Sequence, residues 1–222
     1  PLIALIPGDH QVRFSPSGSW YTDEYSRLDS PPVLEVSAVH RKEQRELVAS
    51  RKGLLDKLAL TAPDLFSIPA RDGFPLPAKV IRPPHFDSTR TYPVILDVYG
   101  GPSSPQVENK WSTDLYWHHI LANNGYLVIS VDNRSATGIS KRLENLILRN
   151  SVNEKIRDLN DVVSWLREQP FINPNRLGIW GWSGGGSFTM AAMTRTRDFK
   201  AGISVAGVSD WHFYDTKFTE MF

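Results

Sequence analysis

The most constraining feature of this chain is five residues, Gly181-Trp182-Ser183-Gly184-Gly185, which follow the apolar run Leu177-Gly178-Ile179-Trp180 and precede a helix-compatible run at 186–194. A strand that turns into a helix within one residue crowds its own backbone, so the central residue takes a strained conformation. Small residues are then needed two positions to either side, and Gly181 and Gly185 supply them. Such a turn belongs to a sheet whose strands feed helices. It would expose Ser183 at the carboxyl edge of that sheet, with the positive end of the next helix beside any negative charge that develops there. The competing reading is a glycine-rich turn with an incidental serine; the flanking strand and helix favour a nucleophile.

The rest of the chain after residue 63 fits that sheet. Apolar runs at 92–98, 126–132, 176–182 and 201–206 alternate with helical segments at 112–123, 154–169 and 185–194. Four strands of buried type separated by helices predict a parallel sheet covered on both faces, an α/β fold. The helix at 154–169 is the best marked, because Ile156, Leu159, Val162, Val163 and Leu166 recur at helical spacing as one stripe. Asn173-Pro174-Asn175 is expected to turn the chain into the following strand, and segments 65–70 and 76–82 to pair about Arg71-Asp72-Gly73.

Before residue 63 the pattern differs. Short strands at 11–14, 19–25, 33–39 and 46–50 are broken by turn residues, Ser15-Pro16-Ser17-Gly18 among them, and read as antiparallel sheet. About 50 residues is one blade's worth of a β-propeller, but no internal repeat marks a propeller by periodicity. A short helical linker is expected over 52–60, and the domain boundary near residue 62.

A chain of 222 residues makes one large domain, or one domain with a piece of another. With 25 basic and 24 acidic side chains, its net charge of +1 points to no polyanionic partner and to no nucleic acid. The absence of cysteine excludes disulfides, thiolate zinc sites and cysteine nucleophiles together. No run approaches the roughly 20 apolar residues of a membrane helix, and no signal peptide is legible. The sequence leaves localisation open, with a periplasmic or membrane-anchored setting ranked ahead of the cytoplasm. Because the chain opens at Pro1 without methionine and stops at Phe222 within an aromatic run, it is expected to be a fragment.

A second chemical signal is Tyr99-Gly100-Gly101-Pro102, at the end of the strand Val94-Ile95-Leu96-Asp97-Val98. A loop there is where a fold with such a strand–turn–helix elbow, Gly181–Gly185 here, places one oxyanion donor, the other being the N–H after the nucleophile. Tyr99 is read either as that donor through its hydroxyl or as an aromatic under a tight turn; Gly184 supplies the N–H. Serine also needs a base, commonly a histidine oriented by a carboxylate, in the chain order serine, acid, histidine. After Ser183 there is one histidine, His212, with Asp198, Asp210 and Asp215 as carboxylates. His212 follows Asp210 too closely for that order, so the acid and histidine are expected beyond Phe222. His118 and His119 lack the HExxH pattern of a zinc site, and with His10, His40 and His85 they read as packing and surface residues.

With Tyr99-Gly100-Gly101-Pro102, the elbow and Trp211-His212-Phe213-Tyr214-Asp215 in that order, the chain resembles the prolyl oligopeptidase family, most closely its dipeptidyl peptidase IV branch. The likeness extends to Phe14-Ser15-Pro16-Ser17-Gly18, to 81–87, to Asp132-Asn133-Arg134 and to Val208-Ser209-Asp210-Trp211. It implies the end of a β-propeller with its linker over 1–62, and the first part of an α/β-hydrolase domain over 63–222. It implies Ser183 as acylated nucleophile, Tyr99 and Gly184 as oxyanion donors, and Val208, Trp211, Tyr214 and Phe218 as the pocket for the residue before the cleaved bond. For those aromatics the alternative is a helix packed on the sheet. The substrate would be a short peptide cut after proline or a small residue, with no metal or organic cofactor, and a homodimer is the assembly the resemblance suggests.

This sequence departs from the family's pattern at several positions. Gly184 stands where the branch has a tyrosine walling the pocket, Phe218 and Phe222 replace tyrosines, and Asn133 and Ser135 alter an Asp-Gly-Arg-Gly stretch. In the family the acidic pair that holds the substrate's amino terminus precedes the point where this chain starts. Three readings follow: a dipeptidyl-peptidase-like serine exopeptidase, an acylaminoacyl peptidase or esterase on the same fold, and a catalytically dead binding protein.

Overall fold

The computed structural model describes residues 6–40, 43–50, 53 and 60–221. The chain divides into two units, Pro1–Pro63 with Glu108–His119, and Asp64–Val107 with Ile120–Phe222. In the first, β1 (Asp9–Phe14), β2 (Trp20–Arg27), β3 (Ser30–Ala38) and β4 (Gln44–Val48) pair in chain order, each antiparallel to the last. Ser15-Pro16-Ser17-Gly18 closes the first hairpin: Gly18 takes φ 68°, and its N–H donates to the Ser15 carbonyl at 2.9 Å. Asp23, buried on β2, accepts from the His10 ring at 2.8 Å. Burial pulls the His10 imidazole down, but its bonds to Asp23 and the Ile6 carbonyl outweigh that and leave its pKa above the ordinary value. Segment 108–119 packs in this unit: the Trp111 N–H donates to Ser26 Oγ, and Lys110 pairs with Asp9 at 3.1 Å. The linker helix expected over 52–60 lies outside the described residues except at 53 and 60.

The second unit is built on a sheet of order β10-β9-β7-β8-β6-β5, formed by β5 (Asp64–Pro69), β6 (Pro75–Ile81), β7 (Tyr92–Asp97), β8 (Leu127–Val131), β9 (Ile172–Trp182) and β10 (Ala201–Val205). Strands β10, β9, β7 and β8 are mutually parallel, whereas β6 runs antiparallel to β8 and β5 to β6. The four strands read as parallel are so, and the hairpin β5–β6 joins them on the antiparallel side, which makes the whole sheet mixed. Leu76, Ala78 and Val80 line one face of β6 and are buried in the same core as Leu159 and Val162, while the backbone of β6 pairs along β8.

One further expectation changes. Asn173-Pro174-Asn175 lies within β9 rather than before it: Tyr92 pairs with Ile172 and Val94 with Leu177, so the extra residues bulge out of the ladder. Strand β10 closes the sheet at its edge, with Ile203 57 % exposed.

The helix Ser151–Glu168 covers the sheet with the stripe its periodicity predicts, burying Leu159, Val162, Val163 and Leu166 against Leu96, Ile129 and Ile179 in one core. Each such side chain contributes about 1.5–3 kcal/mol. That helix and the helix Gly184–Arg195, which buries Phe188 and Ala192, fix the sheet end at which the elbow sits.

Candidate active site

Strand β9 ends at Trp182 and the helix begins at Gly184, so Ser183 alone makes the turn. It does so at φ 54° and ψ −117°, a conformation that costs a non-glycine residue about 1–3 kcal/mol and persists only where the surroundings impose it. Here they do. The Ser183 N–H donates to the Val205 carbonyl at 2.8 Å, and its carbonyl accepts from the Ser187 N–H at 3.0 Å. A Cβ on Gly181 would stand 2.5 Å from the Gly185 carbonyl, and one on Gly185 would stand 2.1 Å from the Val98 oxygen. Neither contact can form without a shift of backbone, so the turn closes undistorted only with glycine at these two positions.

The second strand end arrives beside it. The Val98 N–H bonds the Trp180 carbonyl at 3.1 Å, holding β7 level with β9, and Gly100 turns away at φ 70°. Tyr99 is thereby laid against the first residue of the helix: a Cβ on Gly184 would meet its Cζ at 3.6 Å. Ser183, Tyr99 and Gly184 are brought together on the wall of a cavity of about 660 Å³.

Val208, Trp211, Tyr214 and Phe218 line the same cavity. Two caps shape this segment. Asp210 accepts from the His212 N–H at 3.0 Å at the start of the 3₁₀ turn Trp211–Phe213, and Asp215 accepts from the Phe218 N–H at 2.9 Å at the start of the helix Thr216–Met221. The three rings come together, Trp211 stacked on Phe218 with centroids 5.7 Å apart and Tyr214 edge-on to both. Ser187, which sequence reasoning did not single out, clasps Val208 twice: its hydroxyl donates to the Val208 carbonyl at 3.0 Å and accepts from the Val208 N–H at 2.8 Å.

The carboxylates and histidine after Ser183 are occupied elsewhere. His212 has its side chain 92 % exposed and its ring on Asp210 at 2.7 Å, and Asp210 is held below the usual carboxylate range by the His212 N–H and ring. Asp198 pairs with Arg167 at 2.7 Å, and Asp215 is the cap described above. Of the other histidines, His118 and His119 are buried, whereas His40 and His85 are exposed. Among the described residues no group of His, Asp and Glu could hold a metal ion.

A charged framework ties together the loops and helix of the second unit. Arg134 donates to Asp158 at 2.9 Å and to Asp72 at 2.7 Å, tying the loop after β8 to the helix Ser151–Glu168 and to the β5–β6 turn. Hydrogen bonds from Arg134 and the Phe74 N–H hold Asp72 at a pKa of about 2. Asp161 on the same helix accepts from Arg71 at 2.7 Å, and Asp132 accepts from the N–H groups of Gln106 and Val107. Asp158 and Asp161 fall between the apolar positions of the helix, and a carboxylate on a buried face needs a partner; that was the available signal.

Three comparisons bear on this arrangement. A family model described as the prolyl oligopeptidase family matches residues 111–222. Probable dipeptidyl-aminopeptidase B of Emericella nidulans is 32% identical over 97% of this chain and 24% of its own length. The corresponding protein of Paracoccidioides brasiliensis is 38% identical over 68% of this chain and 17% of its own. Among solved structures, Porphyromonas gingivalis dipeptidyl peptidase 4 superposes with a TM-score of 0.90 at 32% identity, covering 98% of this chain and 31% of that one. A putative dipeptidyl aminopeptidase IV from Bacteroides ovatus superposes at 0.87 with 29% identity, over 96% and 31%. The chain thus spans a quarter or less of the curated relatives, and its fold is the expected one, an α/β-hydrolase sheet preceded by antiparallel strands of a propeller.

Proposed function

Because the chain belongs to the prolyl oligopeptidase family, we propose that the protein is a serine exopeptidase that cleaves short peptides through an acyl-enzyme on Ser183. The observation that carries the reading is the juxtaposition of Ser183, Tyr99, Gly184 and the aromatic trio on one cavity. Ser183 Oγ attacks the carbonyl carbon and gives its proton to a base. The tetrahedral oxyanion is held by the Tyr99 hydroxyl and the Gly184 N–H, at the positive end of the helix Gly184–Arg195. The amine leaves with the proton, and water then releases the acid from Ser183. His212, exposed and engaged by Asp210, is not that base.

Val208, Trp211, Tyr214 and Phe218 receive the residue before the cleaved bond, for which proline suits well: a flat ring without an N–H packs on aromatic faces and leaves no donor unpaired. Residues 1–62 are assigned to the end of a propeller with its linker, and 63–222 to the hydrolase domain. Gly184 favours a second reading. No side chain stands there, and the space beside Tyr99 is open enough for one, so an acylaminoacyl or ester substrate with a larger group is accommodated.

Dipeptidyl p-nitroanilides with a free amino terminus, compared with their N-acetylated forms, test this. Preference for free dipeptides is expected. Hydrolysis of the acetylated or ester substrates alone would favour the second reading, and no hydrolysis of any would overturn both.

A further inference from the structure

The cavity at Ser183 carries an ammonium that the reaction above does not use. Lys155, on the second turn of the helix Ser151–Glu168, lines the cavity with Ser183 and Trp211. Its stem runs past Gly100, where an added Cβ would meet the Lys155 Cδ at 3.3 Å, and its Nζ stands 6.0 Å from the centre of the Phe188 ring.

The carboxylate of the cavity lining and those flanking Lys155 on its helix are already engaged. Glu144, the one acidic residue of the lining among the described residues, accepts from Lys141 at 2.7 Å and from Ser103 at 2.8 Å. On Lys155's own helix, Glu154 faces Arg157 and Asp158 is held by Arg134. The other cation of the lining, Arg195, donates to the neutral Asn153 at 2.6 Å. Among the described residues Lys155 thus has an aromatic face and no anion. A desolvated ammonium without a counter-ion is costly. Burial lowers its pKa to about 8, which leaves it mostly charged at neutral pH.

We propose that Lys155 makes this cavity a subsite for the carboxylate of an acidic side chain, so that the peptidase accepts glutamate or aspartate before the cleaved bond. The inference rests on the peptidase reading for the placement of that residue. The absent side chain at Gly184 supplies the route: where a bulky residue would wall the cavity beside Tyr99, the lining instead runs on past Phe188 to Lys155. The bound carboxylate gives Lys155 the anion it lacks.

The test compares Ala-Glu and Ala-Gln p-nitroanilides on the native protein and on Lys155→Met, with calorimetric binding of the dipeptides Ala-Glu and Ala-Gln, which requires no turnover. A charge-assisted hydrogen bond predicts a Glu-over-Gln ratio in kcat/KM of about ten- to hundredfold near pH 7. That ratio should fall as pH rises through about 8, collapse towards one in Lys155→Met and invert in Lys155→Glu. Should Lys155→Met not fold, the pH profile of the native ratio carries the test. Ala-Gln and its C-terminal amide separate a side-chain carboxylate from a terminal one, and discrimination confined to that pair would overturn the proposal. So would a ratio unchanged by pH or by Lys155→Met, or equal binding of the two dipeptides. Failure of all substrates to turn over, with Ala-Glu still bound more tightly through Lys155, would instead speak against the peptidase reading alone.

Discussion

Two adjacent glycines should respond to the same substitution in opposite ways. A Cβ on Gly185 would stand 2.1 Å from the Val98 carbonyl oxygen and 3.1 Å from Tyr99 Cα, about 0.9 Å short of the 3.0 Å below which real Cβ atoms are not found. No flexible side chain is there to yield. The backbone of Val98 and Tyr99 must move, although the Val98 N–H is tied to the Trp180 carbonyl at 3.1 Å. Overpacking of this kind costs about 1–3 kcal/mol, or roughly 2–12 °C in Tm for a chain of this size. The displacement also falls on Tyr99, and a misplacement near 1 Å is worth roughly 10²-fold in rate.

At Gly184, by contrast, the nearest atom to an added Cβ is Tyr99 Cζ at 3.6 Å, an ordinary contact, so alanine should fold and react much as the native protein does. Tm from thermal unfolding and the rate of Ser183 modification by a fluorophosphonate measure both effects. A Gly185→Ala protein with native Tm and native labelling rate, or a Gly184→Ala protein crippled in both, would refute the reasoning.

Tyr99→Phe removes the proposed oxyanion donor while keeping the ring against Gly184, so kcat should fall by roughly 10²–10³ with KM little changed, and steady-state kinetics at native turnover would make Tyr99 a packing residue. Arg134→Met leaves the Asp158 carboxylate, 1 % exposed, without its guanidinium; a loss of about 3–5 kcal/mol is expected in denaturant titration, and no loss would show that the Arg134 framework is dispensable. Asp72 is held at a pKa of about 2, below its ordinary 3.8, so its contribution is present above 3.8 and is lost as pH falls through about 2; Asp72→Asn should flatten stability against pH in that window, and an unchanged slope would contradict the pairing.

Local rules reached the parts of this molecule that local chemistry decides. The helix Ser151–Glu168 follows from the spacing of Leu159, Val162, Val163 and Leu166, the hairpins follow from Ser15–Gly18 and Arg71–Gly73, and the strained turn at Ser183 follows from Gly181 and Gly185. What was not legible depends on pairing across the chain. Nothing in 64–81 says that β6 will lie antiparallel on β8 and make the sheet mixed. Likewise, segment 108–119 joins the first unit through Trp111 and Lys110, whose partners Ser26 and Asp9 lie far back in the sequence. In the site, the motif residues share one cavity, while Ser187, which fixes Val208, and Lys155, which charges the lining, carry no motif. Their importance arises only when 97–104, 144–155 and 183–218 meet.

The central claim is that Ser183 is an activated nucleophile. Incubating the intact protein with a fluorophosphonate, then mapping the adduct by peptide mass spectrometry beside a Ser183→Ala control, tests it most directly. The account predicts a single adduct on the peptide containing Ser183, absent from the control. A folded protein that takes up no reagent, or carries it on another residue in native and control alike, would contradict it.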